Sequence, residues 1–424
     1  MKQILFVLSC AVISTLGAIT VVPENNQHFR KVGEPVKFFI QLDENRNNVR
    51  FPALVYSHAD IRKVHYLTSD ASGKAELTVT SAKPGFIYVR VEDNKHKAAA
   101  GVAVEPEKIT PSRPAPADFD AYWDGIKKRI DALPMEPEIT EIPDRHRDFR
   151  VCKVRLNLGD KNTRDAYGIL TIPKKAAAAG KLPARLFVKA AGSDKVYPNF
   201  RYESICFTLN PFPIDNQGKD GDYIKRGALK DYHREKSQCL DRDTVYFNGM
   251  FQRVYRALQY LKTLPEWDGR TLIISGTSQG GGQALAGAGL DPDVTLCVAQ
   301  VPALCSHAGR ADGFESGWPF FFQTAIYKSN PAKAVEATAY IDAVNFARRI
   351  SKNTQVYIST GFIDRACPSS TVYAAYNVIP SENKRIVNNV LATHSVPKAT
   401  REEAEAVVRE HIRKMGAKNS GSGK

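Results

Sequence analysis

A glycine-rich turn between an apolar run and a helical run limits the possible folds of this chain more than any other feature. The turn spans residues 276–280 (Gly-Thr-Ser-Gln-Gly) and directly follows Ile-Ile-Ser at 273–275. A Gly-x-Ser-x-Gly turn between a strand and a helix needs small residues around the serine and exposes its hydroxyl at the sheet edge. The segment therefore predicts a nucleophile elbow at Ser278. The alternative is a glycine-rich turn with an idle serine.

The segments around this turn alternate between short apolar runs and helical patterns. Such alternation favours a mostly parallel sheet covered by helices on both faces. We therefore predict an α/β domain over residues 118–416. The runs that predict strands are 186–188, 271–275, 295–299 and 356–359, and the helical patterns are 251–264 and 283–288.

The first part of the chain has a different periodicity. Between residues 19 and 108, apolar and polar residues alternate in short runs separated by turn residues. This pattern is typical of an immunoglobulin-like β-sandwich. A proline-rich linker, 109–117, follows it, and residues 417–424 read as a flexible tail. The alternating runs are 36–42, 75–80 and 86–91.

Residues 1–18 have the pattern of a secretory signal peptide, with a basic start, an apolar stretch and small residues near its end. We therefore expect export to the periplasm or the medium. Cys10 leaves a lipoprotein anchor as the alternative, although the apolar run continues past it. A membrane-spanning helix needs about 20 apolar residues. No later segment has them, so we expect no stable membrane insertion.

A serine hydroxyl becomes a good nucleophile only beside a base that an acid orients. After an elbow of this kind, the acid and then the histidine follow along the chain. The late histidines are His307, His394 and His411. His307 follows the elbow too closely, and His411 lies in an amphipathic terminal helix where we expect it to be exposed. His394, in a loop after a strand-like run, is the predicted base.

The acid is expected at the end of the strand that precedes the histidine. Asp364 ends the strand-like run 357–364, just before a turn with Pro368. There it would hold the imidazole in one tautomer and stabilise its protonated form. Asp342 is the rival, but the segment 340–346 around it reads as helical.

Two backbone N–H groups are expected to bind the oxyanion that forms during attack. One is that of Gln279, at the N-terminus of the helix after the elbow. The other belongs to the loop after an earlier strand. Lys-Ala-Ala-Gly at 189–192 follows the apolar run 186–188 and has small residues, so we predict the N–H of Ala191.

The cysteines and short motifs give no support for a metal or a cofactor. No Cys-x-x-Cys pair, His-Glu-x-x-His or P-loop lysine motif is present. Export permits disulfides, and Cys206 and Cys239 flank a polar stretch that a disulfide could close. The alternative is buried free thiols, as expected for Cys297 within its apolar run.

The chain is basic, with 59 Lys and Arg against 45 Asp and Glu and a net charge of +14. Such an excess suits nucleic acid, an anionic membrane or an acidic substrate. No basic helix or nucleic-acid motif accompanies it, so we expect no nucleic-acid partner. We expect a solvated basic surface that favours acidic glycans. The sequence leaves the oligomeric state open.

With these residues placed, the chain resembles the acetyl xylan esterases of carbohydrate esterase family seven, which include cephalosporin C deacetylases. The similarity spans most of residues 105–394, and the N-terminal β-domain is like that of the longer, exported members. The elbow Ser-Gln-Gly-Gly and the stretch Asp-x-x-x-Pro-x-Ser-x-x-x-Ala-Ala-Tyr-Asn are together quite specific. The matching segments are 117–123, 264–269, 276–281, 301–305, 361–368 and 370–377.

This resemblance implies an α/β-hydrolase fold, metal-free removal of O-acetyl groups from sugars, and a triad of Ser278, Asp364 and His394. The chain departs from the family in three places. Thr393, rather than glycine, precedes the histidine, and the oxyanion loop at 189–192 is Lys-Ala-Ala-Gly. An Arg-Gly-Gln element of shorter members is replaced by 207–238, which reads as polar and irregular.

The expected function is that of a secreted serine esterase that removes acetyl groups from plant cell-wall carbohydrate. Acetylated xylan, xylo-oligosaccharides and pectin are the expected substrates. A serine peptidase of prolyl-oligopeptidase type is one alternative, because it shares the elbow and the order of the triad. A non-catalytic carbohydrate-binding protein with a degenerate hydrolase domain is the other.

Overall fold

The computed structural model describes residues 19–43, 46–57, 62–93, 96–143, 145–159, 164–192, 196–215, 240–323 and 325–417. The predicted signal peptide and Cys239 lie outside these residues. Residues 418–424 of the predicted tail also lie outside them.

Two β-sheets pack face to face in the N-terminal part of the chain. Its strands are β1 (Thr20–Pro23), β2 (Phe29–Arg30), β3 (Pro35–Gln41), β4 (Arg50–Tyr56), β5 (Lys63–Thr68), β6 (Lys74–Thr80), β7 (Gly85–Glu92) and β8 (Lys97–Val104). One sheet has the order β1-β3-β6 and the other β2-β8-β7-β4-β5. Their inner faces form one core, with Phe38 and Ile40 from the first sheet and Val89 and Val102 from the second. The predicted β-sandwich is confirmed.

A nine-stranded sheet forms the centre of the second domain. Its strands are β9 (Glu138–Glu141), β10 (Phe149–Leu156), β11 (Ala166–Pro173), β12 (Leu182–Val188), β13 (Ile205–Leu209), β14 (Trp267–Thr277), β15 (Leu296–Gln300), β16 (Gln355–Gly361) and β17 (Lys384–Asn389). The order is β17-β16-β15-β14-β12-β13-β11-β10-β9. In this sheet order, neighbouring strands are parallel from β17 to β13, and they are antiparallel from β13 to β9. The predicted parallel strands are therefore confirmed.

Helices cover both faces of this sheet. They are α1 (Phe119–Asp131), α2 (Lys174–Ala179), α3 (Tyr246–Thr263), α4 (Gln279–Leu290), α5 (Ala325–Ser329), α6 (Pro331–Ala339), α7 (Ala343–Ala347), α8 (Ser369–Val378) and α9 (Lys398–Ala417). Because side chains alternate along a strand, Ile274 of β14 packs with α3 and α4, whereas its neighbour Ile273 packs with α9. Within the described residues, no helix combines the length and the apolar character that a membrane span requires.

One strand lies where the sequence predicted irregular chain. β13 includes residues 207–209, and every residue of this strand is buried. The prediction was wrong there because a five-residue run gives too weak a pattern beside a long polar segment. Residues 216–239 of that segment lie outside the described part of the chain.

The proline-rich stretch after the sandwich is fastened to the α/β domain. The side-chain amide of Asn377 donates to the carbonyls of Pro106 and Ile109, at 2.9 and 2.8 Å. Further along, the Arg113 guanidinium binds the Asp312 carboxylate through two hydrogen bonds of 2.7 and 2.6 Å. These contacts fix the path of the chain between the two domains.

The described cysteines are buried free thiols: Cys152, Cys206, Cys297, Cys305 and Cys367. Burial raises the pKa of the Cys206 thiol to about 11, and it raises that of Cys297 as well. Cys297 therefore has the buried thiol that its apolar run predicts. Cys239, the candidate disulfide partner of Cys206, lies outside the described residues.

Candidate active site

The turn that carries Ser278 is a strained junction between β14 and α4. β14 ends at Thr277 and α4 begins at Gln279. Ser278 has φ 60° and ψ −122°, a combination that costs about 1–3 kcal/mol for a residue with a side chain. A β-carbon on Gly276 would lie 2.2 Å from the carbonyl oxygen of Gly280. The two glycines therefore let the chain reverse tightly enough to present the serine.

Backbone hydrogen bonds hold this strained turn in place. The N–H of Ser278 donates to the carbonyl of Gln300 at 2.9 Å, and the N–H of Ala303 donates to the carbonyl of Ser278 at 2.9 Å. The loop after β15 that supplies Ala303 is itself unusual, because Val301 and Leu304 have φ values of 39° and 64°. The serine is thus clamped by a neighbouring loop whose backbone is also strained.

The three side chains predicted as a triad form one hydrogen-bonded chain. Nε2 of His394 lies 2.8 Å from Oγ of Ser278, and Nδ1 of His394 lies 2.8 Å from Oδ2 of Asp364. Because an ionised carboxylate can only accept, Nδ1 donates to Asp364 and Nε2 accepts from the serine hydroxyl. Asp364 follows β16 and His394 follows β17, so parallel strands bring all three residues to the same edge of the sheet.

Asp364 is buried and fixed from both of its oxygens. Oδ1 accepts the N–H groups of Ala366 and Cys367, at 2.8 and 2.9 Å, while Oδ2 faces His394. The Asp364 side chain is fully buried, whereas that of His394 is 33% exposed. The acid is therefore held rigidly, and the imidazole is reachable from solvent.

The elbow helix and the predicted oxyanion loop are tied together by glutamine side chains. The amide of Gln283 donates to the carbonyl of Lys189 at 3.0 Å, and that of Gln279 donates to the same carbonyl at 3.4 Å. This role of the two side chains was not predicted from the sequence. Their four-residue spacing places both glutamines on one face of a helix, which is the signal that could have found it.

A cleft of about 400 Å³ opens beside the serine. Ser278 and His394 line it together with two further hydroxyl residues, and its other walls are small or apolar. Ala191, the predicted second oxyanion residue, lines this cleft, and Gln279 is buried next to the serine. The remaining lining residues are Ala190, Thr277, Val301, Trp318, Ala366 and Ser395. The arrangement suits a small acyl group next to a nucleophile.

The rival residues occupy structural positions. Asp342 caps α7, and its carboxylate accepts the N–H groups of Val344, Ser306 and His307, each at 2.9 Å. The helical pattern expected over 340–346 is present only from residue 343, because α6 stops at Ala339 and α7 begins at Ala343, directly after its cap Asp342. The Asp342 carboxylate therefore holds the backbone at the start of α7 and at residues 306–307.

The other two late histidines are both buried. His307 packs against Phe321, and burial lowers the pKa of its imidazole. His411 was predicted to be exposed, which is wrong, because its side chain hydrogen-bonds Gln355 and Thr295, both at 2.9 Å. A polar residue on the inner face of α9 is buried here because two polar partners meet it at the sheet.

Two groups of potential metal ligands occur within the described residues. One consists of Asp364, Cys367 and His394. Burial raises the pKa of the Cys367 thiol well above its usual value, and the side chains of Asp364 and His394 hydrogen-bond each other. The second group, in the sandwich, is Asp43, Asp93 and His96. There His96 pairs with Asp43, while Asp93 binds Arg46. The potential ligand atoms of this second group therefore already take part in ion pairs.

The strand order, the tight turn at Ser278 and the strand ends that carry Asp364 and His394 define an α/β-hydrolase. The acetyl xylan esterase family (AXE1) matches residues 105–409. Acetyl esterase Axe7A of Xylanibacter ruminicola is 33% identical over 336 residues, which cover 75% of this chain and 73% of that protein. The chain therefore belongs to the acetyl xylan esterase family and is a carboxylic ester hydrolase.

Solved structures of acetyl xylan esterases from two bacteria share this fold. The acetyl xylan esterase from Paenibacillus sp. R4 superposes with a TM-score of 0.59 at 21% identity, over 72% of this chain and 98% of that chain. Acetyl xylan esterase 1 from Thermoanaerobacterium sp. JW/SL YS485 has a TM-score of 0.60 at 21% identity, with the same coverage. At this identity the likeness shows the α/β-hydrolase fold. The family resemblance and the fold class predicted from the sequence are confirmed.

Proposed function

We propose that the chain is an exported serine esterase that removes O-acetyl groups from plant cell-wall carbohydrate. Acetylated xylan and xylo-oligosaccharides are the proposed substrates, with acetylated pectin as a further class. The observation that carries the proposal is the hydrogen-bonded chain from Ser278 through His394 to Asp364, beside a small cleft. Membership of the acetyl xylan esterase family supports the choice of acyl group and of polymer.

In the first half of the proposed reaction, the serine is acylated. Oγ of Ser278 attacks the ester carbonyl carbon while Nε2 of His394 takes the hydroxyl proton. The N–H groups of Gln279 and Ala191 bind the oxyanion. These two hydrogen bonds become stronger as negative charge develops on the carbonyl oxygen. The carbon–oxygen bond to the sugar then breaks, and the sugar hydroxyl leaves with the proton from His394.

In the second half, water releases the acetyl group. His394 takes a proton from water, the resulting hydroxide attacks the acyl carbon, and the bond to Oγ of Ser278 breaks. The serine recovers its proton from His394, and acetate leaves. Asp364 keeps the imidazole in the tautomer that both halves need and stabilises its positive charge, while it remains ionised.

The walls of the cleft support an acetyl rather than a larger acyl group. Ala190, Ala191 and Ala366 contribute small side chains to its lining, and Val301 and Trp318 contribute larger apolar ones. Small side chains let backbone approach the carbonyl, whereas the larger ones limit the length of the acyl chain. The sugar portion of the substrate would extend toward the solvent-exposed side of His394.

The proposed export depends on residues 1–18, whose pattern is that of a signal peptide. It is tested by expressing the full chain and sequencing the N-terminus of the mature protein. A mature protein that begins near residue 19 outside the cytoplasm supports export. Retention of Met1 on a cytoplasmic product contradicts it, and a lipid on Cys10 supports the anchored alternative.

The esterase proposal is tested by acetate release from acetylated xylo-oligosaccharides and from 4-nitrophenyl acetate. Ser278→Ala should abolish turnover of both. The matched control is Ser275→Ala, three residues earlier on β14, because the Ser275 hydroxyl has no hydrogen-bond partner among the described residues. Undiminished turnover in Ser278→Ala, with the control also active, would exclude the mechanism.

Two further measurements separate the esterase from the alternative functions. Rapid labelling of Ser278 by an organophosphonate distinguishes a catalytic site from a sugar-binding protein. Comparison of acetyl esters with peptide substrates then distinguishes an esterase from a peptidase. Cleavage of peptides in preference to acetyl esters would overturn the proposal.

A further inference from the structure

The sandwich contacts the loop that bears the acid of the candidate triad. We call residues 362–367 the acid loop. Phe362, its first residue, is 3% exposed, and its ring meets those of Phe29 and Phe86 edge to face, with centroids 5.5 and 5.0 Å apart. Phe29 and Phe86 lie on strands β2 and β7 of the sandwich. The ring of Phe362 is therefore seated in the N-terminal domain.

The backbone of the acid loop also lies directly on the sandwich. A β-carbon on Gly101 of β8 would come within 2.2 Å of the carbonyl oxygen of Phe362. The carbonyl of Gly101 is in turn bound by Nδ1 of His28 at 2.9 Å. Only a residue without a side chain allows this approach. The contact is thus a close fit of main chain against main chain.

A second contact holds the other side of the acid. The guanidinium of Arg365 lies over the rings of Tyr56 and Tyr88, at 4.1 and 5.3 Å from their centroids. The same guanidinium pairs with Glu315, whose other oxygen accepts the hydroxyl of Ser370 at 2.6 Å. Arg365 is therefore fixed between two tyrosines of the sandwich and a buried carboxylate of the α/β domain.

These two contacts bracket the acid. Phe362 lies two residues before Asp364, and Arg365 directly follows it. The acid loop is also joined to the chain that leads to the histidine, because the N–H of Phe362 donates to Asn389 and the N–H of Ile363 donates to Ala392, at 3.2 and 3.1 Å. A shift of Phe362 or Arg365 would therefore move the carboxylate relative to the imidazole.

We propose that the N-terminal sandwich positions the acid of the triad. Phe86 and Gly101 seat Phe362, while Tyr56 and Tyr88 hold Arg365, so that the carboxylate of Asp364 stays within hydrogen-bond distance of His394. These are positioning residues, because they act through the acid loop and not on the substrate. The inference rests on the function proposed above.

Two sandwich variants test this role. Phe86→Ala empties one side of the Phe362 seat, and Tyr56→Leu removes the ring under Arg365. Misplacement of a catalytic group by about 1 Å can cost a hundredfold in rate, so we expect each variant to lose about tenfold in kcat. KM for 4-nitrophenyl acetate should change less than about twofold, because neither residue lines the cleft.

Each variant has a matched control in the same domain. Phe38→Ala also empties a fully buried site in the sandwich core, but Phe38 lies on β3 in the other sheet. Tyr66→Leu also removes a tyrosine ring that lies under an arginine, because the Arg50 guanidinium is 4.6 Å from the centroid of the Tyr66 ring. Tyr66 lies on β5, which does not contribute to the contacts with the acid loop described above. With thermal unfolding recorded for all four, the controls should keep kcat at any temperature where they remain folded.

A double-mutant cycle separates positioning from a general loss of structure. In an Asp364→Asn background, Phe86→Ala and Tyr56→Leu should reduce kcat no further, because their effect passes through the acid. Full additivity, or unchanged kcat in the single variants, overturns the inference. If those results occur while Ser278→Ala is inactive, the proposed function stands and only the role of the sandwich fails.

Discussion

The side-chain amide of Gln283 binds the carbonyl of Lys189 at 3.0 Å, so the helix after the serine and the loop with Ala191 are joined by a side chain. Gln283 is fully buried on α4. Because Ala191 follows Lys189 by two residues, this hydrogen bond sets the distance between the two N–H groups that are proposed to bind the oxyanion. The spacing of the two proposed oxyanion donors thus depends on a buried side chain of α4.

Gln283→Met, which keeps the length of the side chain, should therefore lower kcat by about tenfold. One lost oxyanion donor costs about 100–1,000-fold, and a displaced donor should cost less than a lost one. Steady-state hydrolysis of 4-nitrophenyl acetate measures the effect. The control is Gln259→Met on α3, which removes a 3.0 Å hydrogen bond to Asp291 elsewhere. Equal kcat in the two variants would contradict the coupling.

Gly276→Ala should disrupt the elbow. The added methyl group would overlap the carbonyl of Gly280, and overpacking of this kind costs about 1–3 kcal/mol or more. We expect lower stability and loss of esterase activity, measured by urea unfolding and by acetate release. In contrast, Gly125→Ala on the exposed side of α1, where no described residue lies within 4 Å of the added β-carbon, should stabilise the protein by about 0.5–1 kcal/mol. An active, stable Gly276→Ala protein would show that the turn tolerates a side chain.

Asp364→Asn should reduce kcat by about 10⁴-fold, as loss of the orienting carboxylate does in serine proteases. The backbone N–H groups of Ala366 and Cys367 can still bind the amide oxygen, so the fold should persist. Asp342→Asn, the change at the rival acid, should affect stability through the α7 cap and leave kcat nearly unchanged. Activity assays and melting curves for both variants distinguish the two carboxylates, and the reverse pattern would assign the acid to Asp342.

The stability of the protein should fall in mild acid because of His307. Burial lowers the pKa of this imidazole in the folded state, against the opposing influence of Asp342 and the carbonyl of Ile341. The unfolded chain then binds a proton at a higher pH than the folded protein does. The contribution of His307 to the free energy of unfolding is complete above about pH 6.5, the ordinary pKa of an imidazole. It is lost as the pH falls toward the lower pKa of the folded protein, by at most about 1.4 kcal/mol per pH unit for one group.

Urea unfolding at pH 7.5 and 5.5 tests this linkage. The difference between the two pH values should be smaller in His307→Gln, which cannot take up the proton. An unchanged difference would assign the acid sensitivity to other groups.

Cys206 should be recovered as a free thiol. It is fully buried on β13 next to Ser204, and its raised pKa leaves little thiolate at pH 8. Alkylation should therefore be slow in the folded protein and complete after unfolding without reductant, with Cys297 as the internal comparison. Peptide mass mapping gives the answer, and a peptide that joins Cys206 to Cys239 would contradict it.

That Ser278, Asp364 and His394 lie together could be predicted from the sequence, because parallel strands end at one edge of a sheet. A loop after each of three apolar runs must then reach the same place, whatever the length of chain between them. The strands β12, β14, β15 and β16 could be predicted for a related reason, since strands that are buried on both faces are continuously apolar.

Contacts between distant segments left no comparable signal. Phe86 reads as an ordinary residue of an alternating strand, and nothing near it in the chain indicates that it meets Phe362. His411 was misjudged for the same reason, because its polar partners Thr295 and Gln355 lie on other elements. The local sequence pattern predicts which residues share one face of a helix or strand, but it does not predict which other elements pack on that face.

The seat of Phe362 determines where the molecule can be divided. A chain cut after residue 108 would keep the whole nine-stranded sheet and all three triad residues, yet the Phe362 ring would lose its partners Phe29 and Phe86. Replacement of the sandwich by that of a relative would likewise have to carry a matching acid loop. Under the positioning role proposed above, the sandwich and residues 362–367 form one functional unit, and this unit crosses the boundary between the two domains.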